Sequence, residues 1–276
     1  MIAAVIPARN EAGTLAKVIT NLNLLPIDLF LLVINGTTDR TLREIIALKS
    51  PRVQVIYFHQ ALGIDVPRAI GAKYALEQNA RLVLFLDGDM IGNFQQNLLD
   101  LIIAVQKGVD LALTDCYPRS HPSQLLAYKT LRFRAYLNRI LDLNHLGVAS
   151  PSHGPHALSR RLLEQILLSE LAIPPVVLAL AKKQNLVIQV STALAHFLLA
   201  STMKGPDHAA RIEATIIGDC LEAICLTQGK TRNRVWQGKG YDGYHHERRF
   251  DLLQAVARGA LHPTIFSLSN PPSRRV

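Results

Sequence analysis

Cysteine is scarce in this chain of 276 residues: there are three, Cys116, Cys220 and Cys225, and no two form a CxxC pair. That count and spacing argue against a disulfide framework and against a cysteine-based zinc site. A reduced, cytoplasmic setting is the expectation. Long apolar runs are missing too. No stretch approaches the roughly 18 apolar residues of a membrane span. The opening Met1-Ile-Ala-Ala-Val-Ile-Pro7 is too short for a secretory leader and has no basic flank. Acid is in deficit, with 21 Asp and Glu against 30 Lys and Arg and a formal net charge of +9. That surplus suits an anionic partner: nucleotide phosphates, a phosphorylated small molecule, or an anionic membrane surface touched peripherally. Nucleic acid is disfavoured, because no DNA- or RNA-binding motif accompanies the charge. No GxGxxG follows the first apolar segment and no GxxxxGK[ST] occurs, which argues against a Rossmann dinucleotide site and excludes a P-loop.

What is present is apolar and regularly punctuated. Apolar residues make up 49% of the chain and charged residues 18%, enough for a sizeable core. Strands are expected at Ile2–Ile6, Leu29–Ile34, Val53–Phe58 and Leu82–Leu86. Between them lie helices carrying Leu15, Val18, Ile19 and Leu22, then Leu42, Ile45 and Ile46, then Ile70, Tyr74 and Leu76. Thr38 or Asp39 can cap the second helix, and Pro67 suits the first turn of the third. This alternation predicts an α/β protein with a mainly parallel central sheet flanked by helices. Further on, the pattern predicts a helix from Phe94 to Gln106, a strand at Val109–Leu113, a helix at Leu125–Leu141, and a turn-rich loop from Asn144 to His156. A helix capped by Ser159, one started by Pro174-Pro175, a strand at Leu186–Val190 and a long helix from Asp207 to Thr227 follow. The last fifty residues interleave Lys230, Arg232, Arg234, Lys239, Arg248 and Arg249 with Trp236, Tyr241 and Tyr244. We therefore divide the chain at 1–228 and 229–276, with a nucleotide-binding half (1–110), an acceptor half (111–228), and a helical or extended basic C-terminal extension.

One stretch carries chemistry. Leu82-Val-Leu-Phe-Leu86 ends in Asp87-Gly-Asp89. In open α/β sheets ligands bind beyond the carboxyl ends of the strands, so two carboxylates there can hold a hard cation. Mg²⁺ and Mn²⁺ seek oxygen and commonly bridge carboxylates to phosphates. Gly88 leaves room for a phosphate or sugar. A capped turn is the plain alternative.

Four segments, in order, resemble glycosyltransferases of the GT-A fold, family 2 type. Pro7-Ala-Arg-Asn-Glu11 resembles the P-x-x-N-E loop, Asn35-Gly-Thr-Thr-Asp39 the D-G-S-x-D loop, Arg68-Ala-Ile-Gly71 the A-R-N-x-G helix start, and Asp87-Gly-Asp89 the DxD motif. The resemblance implies a metal-dependent transfer of a hexosyl group from a nucleoside-diphosphate sugar, with UDP as the expected carrier, to an acceptor hydroxyl. It implies donor contacts at Pro7, Ala8, Arg9, Glu11, Asn35, Arg68, Lys73, Asp87 and Gly88. Ser152-His-Gly-Pro-His-Ala-Leu-Ser-Arg-Arg161 resembles the acceptor segment of glucosyl-3-phosphoglycerate synthases. That implies roles for His153, Gly154 and Arg161, a phosphorylated or lipid-head-group acceptor, and His196 as a metal ligand beside Asp89.

Two departures stand out. Asn35 replaces the aspartate that opens the family's second loop, which changes the donor–acceptor pattern offered to a nucleobase. Ile173-Pro-Pro-Val176 stands where inverting members carry an acidic pair, leaving Asp115, His153 or His156 as candidate bases, or none if a retaining reaction uses the leaving diphosphate. The rival readings are a non-catalytic nucleotide-sugar or membrane-surface binding protein and a sugar nucleotidyltransferase; the latter lacks a glycine-rich first loop. The apolar face of the long helix could pack within the chain or in a homodimer.

Overall fold

The computed structural model describes residues 1–118, 128–202 and 204–269. The expected alternation is present: β1 (Ile2–Ala8), α1 (Leu15–Leu22), β2 (Leu29–Asn35), α2 (Thr41–Ile46), β3 (Val53–Phe58), α3 (Val66–Glu77) and β4 (Leu82–Phe85). These four strands pair in parallel in the order β3-β2-β1-β4. Alternate residues point to opposite faces of a strand. Ala3, Val5, Leu31, Val33, Val83 and Phe85 accordingly enter one core with Ala69 and Ile70 of α3. Ala4, Ile6, Leu32, Ile34 and Leu84 enter the other with Leu15, Val18 and Ile19 of α1. Burial on both faces explains why the strands are continuously apolar.

The second half continues with α4 (Gln95–Gln106), β5 (Leu111–Asp115), α5 (Lys129–Ile140), β6 (His156–Ser159), α6 (Arg160–Gln165), α7 (Pro174–Lys183), β7 (Ile188–Ala193) and α8 (Pro206–Thr227). The strands expected at Val109–Leu113 and Leu186–Val190 each begin two residues later. Asp110 anchors their start, its carboxylate accepting from the Val187 amide at 2.9 Å and from the Ser159 hydroxyl at 2.7 Å. Of the helix expected at Leu125–Leu141, Leu125–Ala127 lie outside the described residues. The four residues of β6 were expected to divide between a loop and a helix entry. They instead form a strand between β4 and β5, antiparallel to both. Ser159 does cap the next helix, its hydroxyl accepting from the Leu162 amide at 3.1 Å.

A short hairpin of β8 (Val235–Trp236) and β9 (Lys239–Gly240), then α9 (Phe250–Ala257) and β10 (Thr264–Ser267), complete the described chain. β10 pairs antiparallel with β3, so the C-terminal segment forms one edge of the eight-stranded sheet. No helix among the described residues is long and apolar enough to cross a membrane.

Candidate active site

The loops after β1, β2 and β4 meet at the carboxyl end of the parallel strands. The first two brace each other. The Glu11 amide donates to the Thr41 hydroxyl at 2.7 Å, Ala12 to Asp39 at 3.1 Å, Gly13 to Glu44 at 2.7 Å, and Thr38 to the Asn10 side chain at 2.8 Å. Asn35 is buried, and its amide bridges main chain. It donates to the Ala8 carbonyl at 3.3 Å and accepts from the Leu62 amide at 3.0 Å. Both ends of the side chain are engaged in joining the β1 end to the loop before α3, leaving one N–H and one lone pair of the amide for any further partner.

Beyond β4, Asp87 is clamped by Arg68 from the first turn of α3, and Arg68 is shared with Asp65. Asp89 accepts from the Thr202 amide at 3.1 Å. Glu11 faces the same turn, with Lys204 at 3.7 Å. Burial, then the charges of Asp89 and Asp87, holds the Glu11 carboxyl above its usual range. Burial, then Asp87, does the same to Asp89. With Arg68 taking Asp87, the surplus negative charge falls on Asp89 and Glu11. These all-oxygen donors fit a hard divalent cation, which would relieve that crowding.

The glycines have other roles than expected. A Cβ on Gly88 would lie 3.1 Å from the Pro7 carbonyl oxygen, 3.2 Å from Leu15 Cδ1 and 3.4 Å from Ala8 Cβ. The space a Cβ would take is filled by the end of β1, so Gly88 permits that packing. Gly154 has φ of +74°, and a Cβ there would sit 2.6 Å from Cys116 Sγ. It seats its loop on the end of β5.

On the acceptor side, His153 stacks on Tyr117 with ring centroids 5.7 Å apart and meets His196 at 4.8 Å with the rings tilted by 35°; Tyr117 also stacks on His196 at 6.2 Å. Burial, then Arg134 and His196, pushes the His153 pKa well below normal, and its buried Nε2 has no partner among the described residues. His196 is exposed on the turn after β7 and makes no ion-pair contact with Asp89. Its loop, rather than its ring, reaches the metal-type turn, through Thr202. Asp87, Asp89 and His196 do not converge as a three-ligand group. Among the described residues, the group whose ligand atoms lie within 4.8 Å of one another is Asp219, Glu222 and His245. Arg232, Arg234 and Arg248 already cover its carboxylates.

Two cations depart from expectation. β6 runs against β4, with His156 opposite Phe85 and Ser159 opposite Leu82. The chain therefore moves away from Asp87 as it approaches Arg161, which reaches Asp110 at 3.4 Å. Lys73 lies farther along α3 than Arg68, packs over the Tyr74 ring and pairs with Glu77. The residue brought to the site in their place is His156. It stacks on Phe85 at 5.2 Å, and burial beside Arg68 depresses its pKa to about 4. With Arg68, Pro151, Leu171, Pro174 and Val177 it lines a small cleft. His156 is among the candidate bases that the sequence offers, whereas Asp65, Tyr117, Arg134 and the binding of Asp89 by Thr202 are not foreseen by it. Of these only Asp65, as a polar residue ahead of Pro67, had a local signal.

Candidate bases fare poorly. Pro174 and Pro175 are buried, Glu164 pairs with Arg160 at 2.6 Å, and Glu170 pairs with Arg232 at 2.7 Å. Asp115 turns back to accept from the Tyr117 amide at 2.8 Å.

A parallel sheet whose first three loops gather around a clamped Asp-Gly-Asp turn defines a glycosyltransferase of the GT-A fold. The chain belongs to glycosyl transferase family 2, whose profile matches residues 3–167. Structures of glucosyl-3-phosphoglycerate synthase from Mycobacterium tuberculosis share the fold. The complex with Mn²⁺, uridine-diphosphate and glucosyl-3-phosphoglycerate has a TM-score of 0.60 at 20% identity, covering 85% of this chain and 82% of that one. The complex with Mn²⁺, UDP-glucose and phosphoglyceric acid has a TM-score of 0.61 at 20% identity, covering 85% and 82%. A further mycobacterial protein of 16% identity has a TM-score of 0.61, covering 85% and 77%. No curated protein matches the chain in sequence.

Proposed function

We propose that the protein transfers a hexosyl group from a UDP-sugar to a hydroxyl of a small phosphorylated acceptor, with Mg²⁺ or Mn²⁺ at Asp89. The observation that carries this reading is the half-buried pair of Asp89 and Glu11, held in excess negative charge while Arg68 takes Asp87. A bound divalent cation would supply Lewis-acid stabilisation to the departing diphosphate. Glu11 and Asp89 would supply the oxygen donors, Arg68 holds Asp87 in place, and Lys204 adds positive charge at the rim. The crystal complexes of the mycobacterial synthase with Mn²⁺ and UDP, or with Mg²⁺ and UDP, support the same donor class here. Its complexes with phosphoglyceric acid and glycerol 3-phosphate support an acceptor of that kind, which the net charge of +9 favours.

We infer further that no side chain acts as general base and that the leaving diphosphate accepts the acceptor proton, with retention at the sugar carbon. The pairing of Glu164 and Glu170, the buried prolines of α7 and the depressed His153 and His156 support this. The three free thiols suit a cytoplasmic setting. A second reading, an acceptor presented on a membrane surface, is favoured by Phe197 and Leu198, 77% and 48% exposed on the turn between His196 and the Asp89-binding Thr202.

Calorimetric titration with UDP tests the donor site. Binding is expected with Mn²⁺, and is expected to be lost without the metal and in Asp89→Asn. Unchanged metal-free binding in that variant refutes the site. A panel of UDP-sugars with 3-phosphoglycerate, read by NMR of the anomeric proton, tests acceptor and stereochemistry; an inverted product refutes the retaining reading. Co-sedimentation with anionic vesicles that is lost in Phe197→Asp would favour the membrane reading.

A further inference from the structure

Three arginines of the C-terminal segment, Arg232, Arg234 and Arg248, turn into the fold. Arg248 is fully buried. Its Nη1 and Nη2 each hold one oxygen of Asp219 on α8 at 2.7 Å, and its Nη2 also donates to Asp65 at 3.0 Å. Arg234 joins Asp219 to Glu222 at 2.7 and 2.6 Å, and Arg232 extends the run to Glu170 at 2.7 Å. In the other direction, Asp65 pairs with Arg68 and Arg68 with Asp87. An unbroken alternation of charge therefore runs Asp219–Arg248–Asp65–Arg68–Asp87, from the C-terminal segment to the first aspartate of the β4 turn.

We propose that Arg248 is a positioning residue for the donor site: through Asp65 it orients Arg68 and so fixes the Asp87 carboxylate. The proposal rests on the reading of the Asp87–Asp89 turn as the diphosphate site. Asp65 stands at the N-terminus of α3 but makes no capping bond to it. Its two oxygens are divided, Oδ1 to Arg68 and Oδ2 to Arg248. Its backbone is left-handed, φ +63°, a conformation that aspartate adopts more readily than most residues. Arg68 divides its fork in the same way, Nη1 to Asp65 and Nη2 to Asp87. A planar guanidinium fixed at both terminal nitrogens has one orientation.

The backbone that presents Arg248 is also fixed. The Arg249 amide donates to the Leu62 carbonyl at 2.9 Å. Gly63, at φ +80°, lies so close that a Cβ would be 2.3 Å from the Glu247 carbonyl oxygen and 2.8 Å from Arg248 Cα. Removing the Arg248 guanidinium frees Asp65 Oδ2, and Arg68 can then follow Asp65 away from Asp87.

The test compares UDP affinity at saturating Mn²⁺, by calorimetry, with the unfolding temperature of each variant. Residues that orient a metal site through a second layer of contacts typically contribute about 10- to 100-fold to affinity. Arg248→Gln and Asp65→Asn are each expected to weaken UDP at least about 10-fold. The double variant is expected to be no weaker than the worse single one, as for residues acting in series. Arg248→Lys, which restores the charge, is expected to recover part of the loss. Arg232→Gln cuts the same network at its far end, and should lower the unfolding temperature while UDP affinity stays within about two-fold. Wild-type affinity in a folded Arg248→Gln protein, or in Asp65→Asn should the first not fold, overturns the proposal. So does an equal loss in Arg232→Gln, which would mark general destabilisation. A wild-type protein that binds no UDP with Mn²⁺ overturns the donor-site reading and this proposal with it; binding that persists in the variants overturns this proposal alone.

Discussion

Replacing Asp219 by asparagine takes one negative charge from between two buried guanidinium groups. The Asp219 side chain is 2% exposed, Arg234 is 8% exposed and Arg248 is fully buried, and three contacts of 2.7 Å join them. An asparagine is nearly the same shape, so the change leaves no cavity and isolates the electrostatic effect. Removing one member of a buried ion pair costs about 3–5 kcal/mol, because the remaining charge stays buried without its partner. Arg234 keeps Glu222 and Arg248 keeps Asp65, so the lower end, about 3 kcal/mol, is expected. At roughly 2–4 °C per kcal/mol for a chain of this order, the unfolding temperature should fall by about 6–12 °C. The assay is thermal unfolding of the metal-free protein at neutral pH, followed by circular dichroism. High salt should leave the difference largely intact, since buried pairs are screened little. A fall of less than about 2 °C would refute the reasoning, because it would mean that the arginines reach water once the carboxylate is gone.

Gly88→Ala is expected to lower stability by about 1–3 kcal/mol through overpacking against Pro7, Leu15 and Ala8; an unchanged urea midpoint would show that the end of β1 yields. Protons compete with a metal for Glu11 and Asp89, whose pKa values are raised. Mn²⁺-dependent UDP binding should therefore weaken as pH falls through that raised range, above the point where an ordinary aspartate would titrate; calorimetry across the range checks this. For the metal-free fold the sign is opposite. Between the ordinary and the raised pKa the folded state binds more protons than the unfolded state, so these two groups add stability as pH falls through that window. The pH dependence of urea unfolding in wild type minus that in Asp89→Asn isolates the contribution of Asp89. Cys116 and Cys220 are buried, with thiols pushed up to about 12, whereas Cys225 is half-buried. A thiol reagent should label Cys225 first in the folded protein, and rapid labelling of all three would contradict the packing.

Much of the donor half was legible because its signals are local. An apolar run that stops at two aspartates marks a strand end, whichever strands flank it. The alternation of such runs with helical spacing specifies a parallel sheet, because only burial on both faces makes continuously apolar strands stable. The acceptor half was harder. His156-Ala-Leu-Ser159 is too short to show a period and follows a run of turn residues, yet it inserts between β4 and β5. That antiparallel insertion carries Arg161 away from the site to which its position in the resembling segment assigned it.

The sequence by itself determined the class of sheet, the Asp87-Gly-Asp89 turn at its carboxyl edge, and an oxygen-rich site facing anionic chemistry, since each is written within a few consecutive residues. The tertiary structure alone decided how those residues are used. Asn35 is bonded to main chain, Gly88 packs against Pro7, and Asp87 is paired with Arg68, while Asp89 and Glu11 share the surplus charge. It also brought Arg248 to Asp65 across 183 residues of chain. Such a contact has no local pattern. It exists because helices and loops distant in sequence pack at one end of the sheet, where a buried charge is tolerated only beside its counter-charge.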